Sequence, residues 1–290
     1  MNTPATSPPD LNYATFYGIH SIPGAVVFAV LYAPLFGWFI LQSFRHPTYV
    51  HVILVLFCAI RIAAFAIRAA LAGSSSAGQN LGLLIADQVL FGVGYFGLLY
   101  SAYTLVLDRD LLTRRPPPSH PILRLTRNRR LFRVVLMIAV ALGIASSSMT
   151  DATHTASNDS KIKSLHEAST IIFLILTVLQ ALQTLVFVKD EQLYEGIYNF
   201  TPLVLAADTD ENEKRTHTFG DKHAMLILLV ISLLLLVREV FTTVTVNNAA
   251  KQNNEHLWYP LYALPELLAV ALYTAPGLVP PRSELPPQGF

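Results

Sequence analysis

Apolar residues run in seven blocks along this chain, at 20–43, 50–72, 81–107, 132–149, 167–188, 223–246 and 258–279, separated by polar or proline-bearing connections. Each block lies near the twenty residues a helix needs to cross about 30 Å of hydrocarbon. Backbone immersed in lipid must satisfy its own hydrogen bonds, so such blocks specify helices. The chain therefore reads as all-α: a polytopic membrane protein with a seven-transmembrane-helix bundle at 20–279, a tail at 1–19 and a second tail at 280–290. The fourth block is the shortest and the third the longest, which predicts a tilted third helix.

Composition sharpens this reading. Hydrophobic residues make up 53% of the chain and charged residues 13%, well below the roughly 25% charged share of soluble domains. The net charge of +1 implies no attraction to nucleic acid. Its distribution sets orientation: thirteen Lys and Arg fall in connections on one side, and three (Lys161, Lys163, Lys251) on the other. The positive-inside rule then puts the N-terminus outside and the C-terminus in the cytosol. Residues 1–19 carry three prolines and no basic segment, so no cleavable signal is expected and the first block directs insertion. Asn158-Asp159-Ser160 is a glycosylation acceptor on the outer side of this topology, and Asn199-Phe200-Thr201 one on the inner side. Cys58, the single cysteine, excludes an internal disulfide.

Two cytosolic connections stand out. The third joins RRPPPSHP to RLTRNRR. It reads as an extended proline segment followed by a basic patch, in which Arg124, Arg127, Arg129 and Arg130 suit anionic lipid or a cytosolic protein, or serve topology alone. The fifth holds DTDENEKR, preceded by YEGIYNFTPLVL as a candidate interfacial segment.

The candidate chemistry lies inside the blocks, where Arg61, Arg68 and Arg238 stand against Asp87, Glu239 and Glu266. Ionisable groups at such depth cost several kcal/mol each unless paired or wetted. They mark either a substrate-binding polar site or ion pairs that only fix helix register. Arg61 and Arg68 are one heptad apart and share a face. Counting inward at 1.5 Å per residue places the acids at similar height in the outer half. Arg68 can then pair with Asp87 across a short connection, leaving Arg61, Arg238, Glu239 and Glu266 as a deeper cluster. Arg238 and Glu239 sit about 100° apart on a helix, which predicts different partners for each. The seventh block carries Pro260 and Pro265 just before Glu266, and proline at such a place frees carbonyls and permits a kink.

Other strings carry less chemistry than they suggest. Gly92-Val93-Gly94-Tyr95-Phe96-Gly97 matches a dinucleotide fingerprint but lacks the strand before it, so it reads as a close-packing helix face. Leu107-Asp108-Arg109 is similar to the acidic-arginine pair of rhodopsin-like receptors, yet the seventh block lacks that family's Asn-Pro-x-x-Tyr. His20, His154, His166 and His256 fall at or beyond outer helix ends and give no zinc-ligand spacing. No Walker A sequence is present. No enzyme activity, cofactor or metal is expected.

The ending NNEHLWYPLYALPELLAVALYTAPGLVP resembles the last span of the fungal lipid-translocating-exporter-like family, the seven-span proteins of aminocholesterol-resistance type. The matching features are Glu255, Tyr259, Pro265 with Glu266, and Pro276-Gly277. Arg238-Glu239-Val240-Phe241 resembles its sixth span, Arg61 to Arg68 its second, and FYGIHSIPGAVVFAVLY its first. One departure is clear: CAIRIAAFAIRA carries arginine where that family has an acid, which leaves Asp87 to supply the acidic side. The resemblance implies a fungal protein of the plasma membrane or an endomembrane that exports, flips or resists a long-chain base or sterol-like amphiphile. On that reading its partners are membrane lipids and an amphiphilic small molecule. The rival expectation is a seven-helix sensor that binds an amphiphile outside and signals through the basic third connection.

Overall fold

The computed structural model describes residues 12–112, 128–149, 156–200 and 219–281. Its long helices are α1 (Ile22–Arg45), α2 (Tyr49–Gly73), α3 (Leu81–Leu112), α4 (Arg129–Met149), α5 (Ala156–Phe200) and α6 (Ala224–Thr245). A shorter α7 (Leu264–Leu272) closes the series. The described residues are mostly helical, and α1 to α6 are each long and apolar enough to cross a membrane.

The seventh block differs from the unbroken span its hydropathy predicts. A helical turn at Glu255–Trp258 leads into a π-helical turn at Tyr259–Ala263 and then into α7. Pro260 and Pro265 explain the break, because neither can donate the i to i−4 hydrogen bond of a regular helix. Helix α5 starts well before the expected residue 167, so His166 lies within a helix rather than at its end. The same helix continues to Phe200 through the first part of YEGIYNFTPLVL. DTDENEKR, Arg124 and Arg127 lie outside the described residues.

The bundle is apolar on its outer face, and its largely apolar core encloses a cluster of polar and charged side chains. On α6, Leu226, Val230, Leu233, Val237, Val240 and Val244 form an exposed apolar stripe with alternating steps of four and three. The opposite face buries Ser232, Arg238 and Glu239. On α2 the buried stripe runs Val50, Leu54, Phe57, Arg61, Phe65, Arg68 and Leu71, so both arginines occupy core positions of one heptad face.

Helix α3 is the axis of the assembly. It packs against α2, α4, α5 and α6, and every residue from Leu98 to Asp108 is buried. Before this enclosed stretch, Gly94 presents a small residue where α2 approaches closely. A Cβ added there would stand 2.7 Å from Nη1 of Arg61.

The two ends of the bundle are fastened differently. At the end where α1 begins, called the upper end here, Glu255 accepts hydrogen bonds from the backbone N–H groups of His20 (2.8 Å) and Ser21 (2.7 Å). Ser21 in turn caps α1 by accepting from the Gly24 N–H at 3.1 Å. The Tyr259 ring lies against Gly24, where a Cβ would meet it at 2.5 Å. At the lower end, Arg109 donates to Asp221 Oδ1 at 2.5 Å and to the Leu278 carbonyl at 3.1 and 2.8 Å. It also donates to the Gly277 carbonyl. The Gly220 N–H donates to the Pro276 carbonyl at 3.0 Å. Asp108 pairs with Arg129 at 2.5 Å. The Asp108-Arg109 string is thus an anchor for three chain segments, and one arginine of the anticipated basic patch is engaged within the fold.

Candidate functional site

All six ionisable residues expected within the membrane are nearly or fully enclosed, with 1–3% of each exposed. They converge where α2, α3, α6 and α7 meet. Arg68 donates to Asp87 Oδ2 at 3.2 Å, and its guanidinium lies 3.8 Å above the Trp258 ring. This is the pairing that helix register and the short α2–α3 connection anticipate.

Below this pair lies the deeper cluster. Arg61 donates from Nε to Glu266 Oε1 at 2.5 Å, and from Nη1 and Nη2 to the carbonyls of Leu90 and Phe91 at 3.0 Å each. Those carbonyls belong to α3, and the bare face of Gly94 lets the guanidinium reach them. Phe57 and Phe91 present their rings to it at 4.8 and 4.9 Å. Arg238 sits between Glu239 and Glu266, at 2.6 Å from Glu239 Oε2 and 3.8 Å from Glu266 Oε2. Its guanidinium faces the Tyr95 and Tyr262 rings at 3.8 and 4.2 Å and also donates to the Tyr262 hydroxyl.

One expectation fails here. Arg238 and Glu239 do pair with each other, although their Cα–Cβ bonds diverge by about 100°. The long arginine stem curls sideways, and Arg238 gains the second carboxylate of Glu266 as well. The partners are shared rather than separate.

A cavity of about 140 Å³ opens beside the network. One wall carries Arg68, Asp87, Arg238 and Glu239, with Trp258 and Tyr262 between them. These two rings, four positions apart on one helical face, stack 5.1 Å apart at 16°. The opposite wall comes from α4 and α5 and includes Ser147, His166, Ser169 and Thr170. Arg61 and Glu266 lie behind this lining and bind only other protein groups. Six candidate residues thus divide into four that face the cavity and two that support it.

Several polar groups here lack a hydrogen-bond partner among the described residues: Nε and Nη2 of Arg68, Oδ1 of Asp87 and Nε of Arg238. Buried polar groups are almost always satisfied, and exceptions cluster where a ligand or water enters. His, Cys, Asp and Glu nowhere gather in threes suited to a metal among the described residues. The cavity is a chamber lined by aromatic rings, with two ion pairs in its wall.

Sequence reasoning missed the serines and threonines of the opposite wall. Within an apolar run they resemble ordinary membrane-helix residues, whose hydroxyls bond the carbonyl one turn back. Their signal is periodicity: His166, Ser169, Thr170, Thr177, Gln180 and Thr184 follow one face of α5.

These features define a polytopic α-helical membrane protein with a charged, partly unsatisfied chamber in one half of its bundle. Residues 23–198 match a family described as a domain of unknown function (DUF7702), and the chain belongs to that family. The matched stretch contains Arg61, Arg68 and Asp87, whereas Arg238, Glu239 and Glu266 follow it. No curated protein and no solved structure matches the chain.

Proposed function

We propose that the protein is a seven-span membrane protein, with its N-terminus outside and its C-terminus in the cytosol, that moves an amphiphile between leaflets by lodging its polar head in this cavity. The observation that carries the reading is the cavity wall: two ion pairs and unsatisfied donors and acceptors inside a bundle whose outer face is apolar. Ionisable groups at such a place mark substrate paths by default. The upper end, where the cavity lies, is the outer side on the distribution of Lys and Arg. The residues from Glu255 to Leu272 supply the seventh crossing together with the turns that follow.

Volume favours a head over a whole lipid. The cavity of about 140 Å³ holds several waters, enough for an amine or hydroxyl head but too little for a long chain. The chain stays among the aliphatic side chains and lipid, while Asp87 or Glu239 receives a cationic head. The similarity of the last span to lipid-translocating exporters supports the same class of substrate.

Gly92 provides the test. It lies at the cavity and is exposed, and a Cβ there would meet nothing within 4 Å. In proteoliposomes the wild type should move a labelled single-chain amine faster than labelled phospholipid, and Gly92→Leu should block that movement while the protein stays folded. Wild-type movement by folded Gly92→Leu would remove the cavity from the path. No movement by folded wild type, with amphiphile binding retained, would favour a sensor.

A further inference from the structure

The cavity does not end the polar face of α5. Below it, Tyr95, a lining residue, shares a hydrogen bond with the Thr177 hydroxyl at 2.8 Å. One turn lower, Gln180 Nε2 donates to Ser232 Oγ at 2.8 Å and to Thr184 Oγ1 at 3.3 Å. Thr184 and Ser232 are themselves 3.3 Å apart. From Ser169 to Thr184 this face rises about 22 Å at 1.5 Å per residue, most of the roughly 30 Å hydrocarbon thickness.

A polar seam between helices often serves only to hold them together, and such a seam satisfies its own groups. This one does not. Gln180 Oε1 and both side-chain polar atoms of Gln183 lack hydrogen-bond partners among the described residues, with each residue only 1% exposed. An amide buried without partners is among the more costly features a membrane interior can hold. A leucine at either place would pack α5 more cheaply. Costly unsatisfied groups persist where they serve a task.

The seam also differs from the cavity in charge. The cavity wall carries Arg68, Asp87, Arg238 and Glu239, whereas Thr177, Gln180, Gln183, Thr184 and Ser232 are all neutral. A permanent cation moving along them would leave its counter-charges behind in a low-dielectric site. A head that sheds its charge and offers hydrogen bonds would not.

Resting on the proposed translocation, we infer that Gln180, Gln183, Thr184 and Ser232 form a second head-group station on the cytosolic side of the cavity. It passes heads that can become neutral, such as an amino-alcohol, and rejects quaternary ammonium heads. The ammonium group gives one proton to the free carboxylate oxygen of Asp87, which returns it to the outer solution. The neutral amine then crosses on the amide and hydroxyl groups and takes up one proton from the cytosolic solution. Each passage is electroneutral and carries no net charge across the membrane.

The experiment uses full-length protein in vesicles and two fluorescent single-chain probes, an amino-alcohol and its N,N,N-trimethyl analogue. Quenching of Trp258 in a Trp38→Phe background reads entry to the cavity, and leaflet exchange above the rate in protein-free vesicles reads passage. Both probes should quench, and only the amino-alcohol should cross. Gln183→Leu and Gln180→Leu should keep quenching but lower crossing at least about tenfold. Gln183→Leu should also unfold at a higher temperature than wild type, since an unsatisfied amide is exchanged for an apolar group. A merely structural seam would not yield a more stable protein with less transport. Equal crossing by the trimethyl probe, or wild-type crossing by folded Gln183→Leu, would overturn the second station and leave the cavity reading standing. Absence of quenching and crossing by both probes in wild type would overturn both.

Discussion

Gly94→Ala should destabilise the protein although alanine is the better helix former. The added methyl would sit 2.7 Å from Nη1, 2.9 Å from Cζ and 3.1 Å from Nη2 of Arg61. That guanidinium has little room to retreat, since the Leu90 and Phe91 carbonyls and Glu266 hold it. Backing away by roughly 0.7 Å, to ordinary van der Waals distance, breaks the two carbonyl bonds. At about 1.5–3 kcal/mol for each hydrogen bond to a charged group the loss is ~3–6 kcal/mol. Alanine returns about 1 kcal/mol of helix propensity, leaving ~2–5 kcal/mol. At about 3 °C per kcal/mol this lowers the melting temperature by about 6–15 °C. Cys58 is the built-in reporter: it is the single cysteine, fully buried, one turn from Arg61. Its reaction with a thiol-reactive dye during heating in mild detergent therefore reports opening at the site itself. Gly92→Ala is the control, because its methyl meets nothing within 4 Å and it should match or exceed wild type. Equal melting of the two alanine variants would refute the seating of Arg61 against the α3 backbone.

Three further outcomes follow from the same contacts. Glu266→Gln leaves Arg61 and Arg238 without their shared carboxylate, and breaking a buried pair costs about 3–5 kcal/mol. Its folded yield on size exclusion should fall sharply, so normal yield with selective loss of transport would show that Glu266 handles substrate directly. Arg109→Ala removes the lower anchor. Hydrogen exchange should quicken at residues 219–223 and 276–281 while α2 keeps its protection, and unchanged exchange there would show the anchor to be dispensable. For topology, Asn158→Gln should abolish any mass shift on glycosidase treatment in a eukaryotic host, and Asn199→Gln should leave it unchanged. A shift lost only in Asn199→Gln would invert the proposed orientation.

The Arg68–Asp87 pair was legible in the sequence because both residues lie near the same short connection, so counting turns fixes their height. The partner of Arg238 was not, because angles between Cα–Cβ bonds ignore how far a long side chain bends. Gly94 showed itself only as part of a glycine string, and its role depends on a guanidinium arriving from another helix. The six long helices follow from hydropathy alone. The seventh deviates because two prolines act on hydrogen bonding, which hydropathy does not register. The far wall of the cavity stayed hidden because single serines and threonines scarcely alter the mean of an apolar run. Only their periodicity along one face of α5 marks them, and the structure shows that face turned toward α4 and α6.

The span between Arg61 and Glu266 has a consequence for biosynthesis. Arg68 meets its carboxylate 19 residues later in the chain, within the next helix, whereas Arg61 waits through 205 residues for Glu266. During synthesis Arg68 can thus meet its carboxylate once α3 has been made, while Arg61 finds only the carbonyls of α3 until the last helix follows. A chain stopped before residue 266 would leave Arg61 without its carboxylate in the core, and a buried charge stripped of its partner costs about 3–5 kcal/mol.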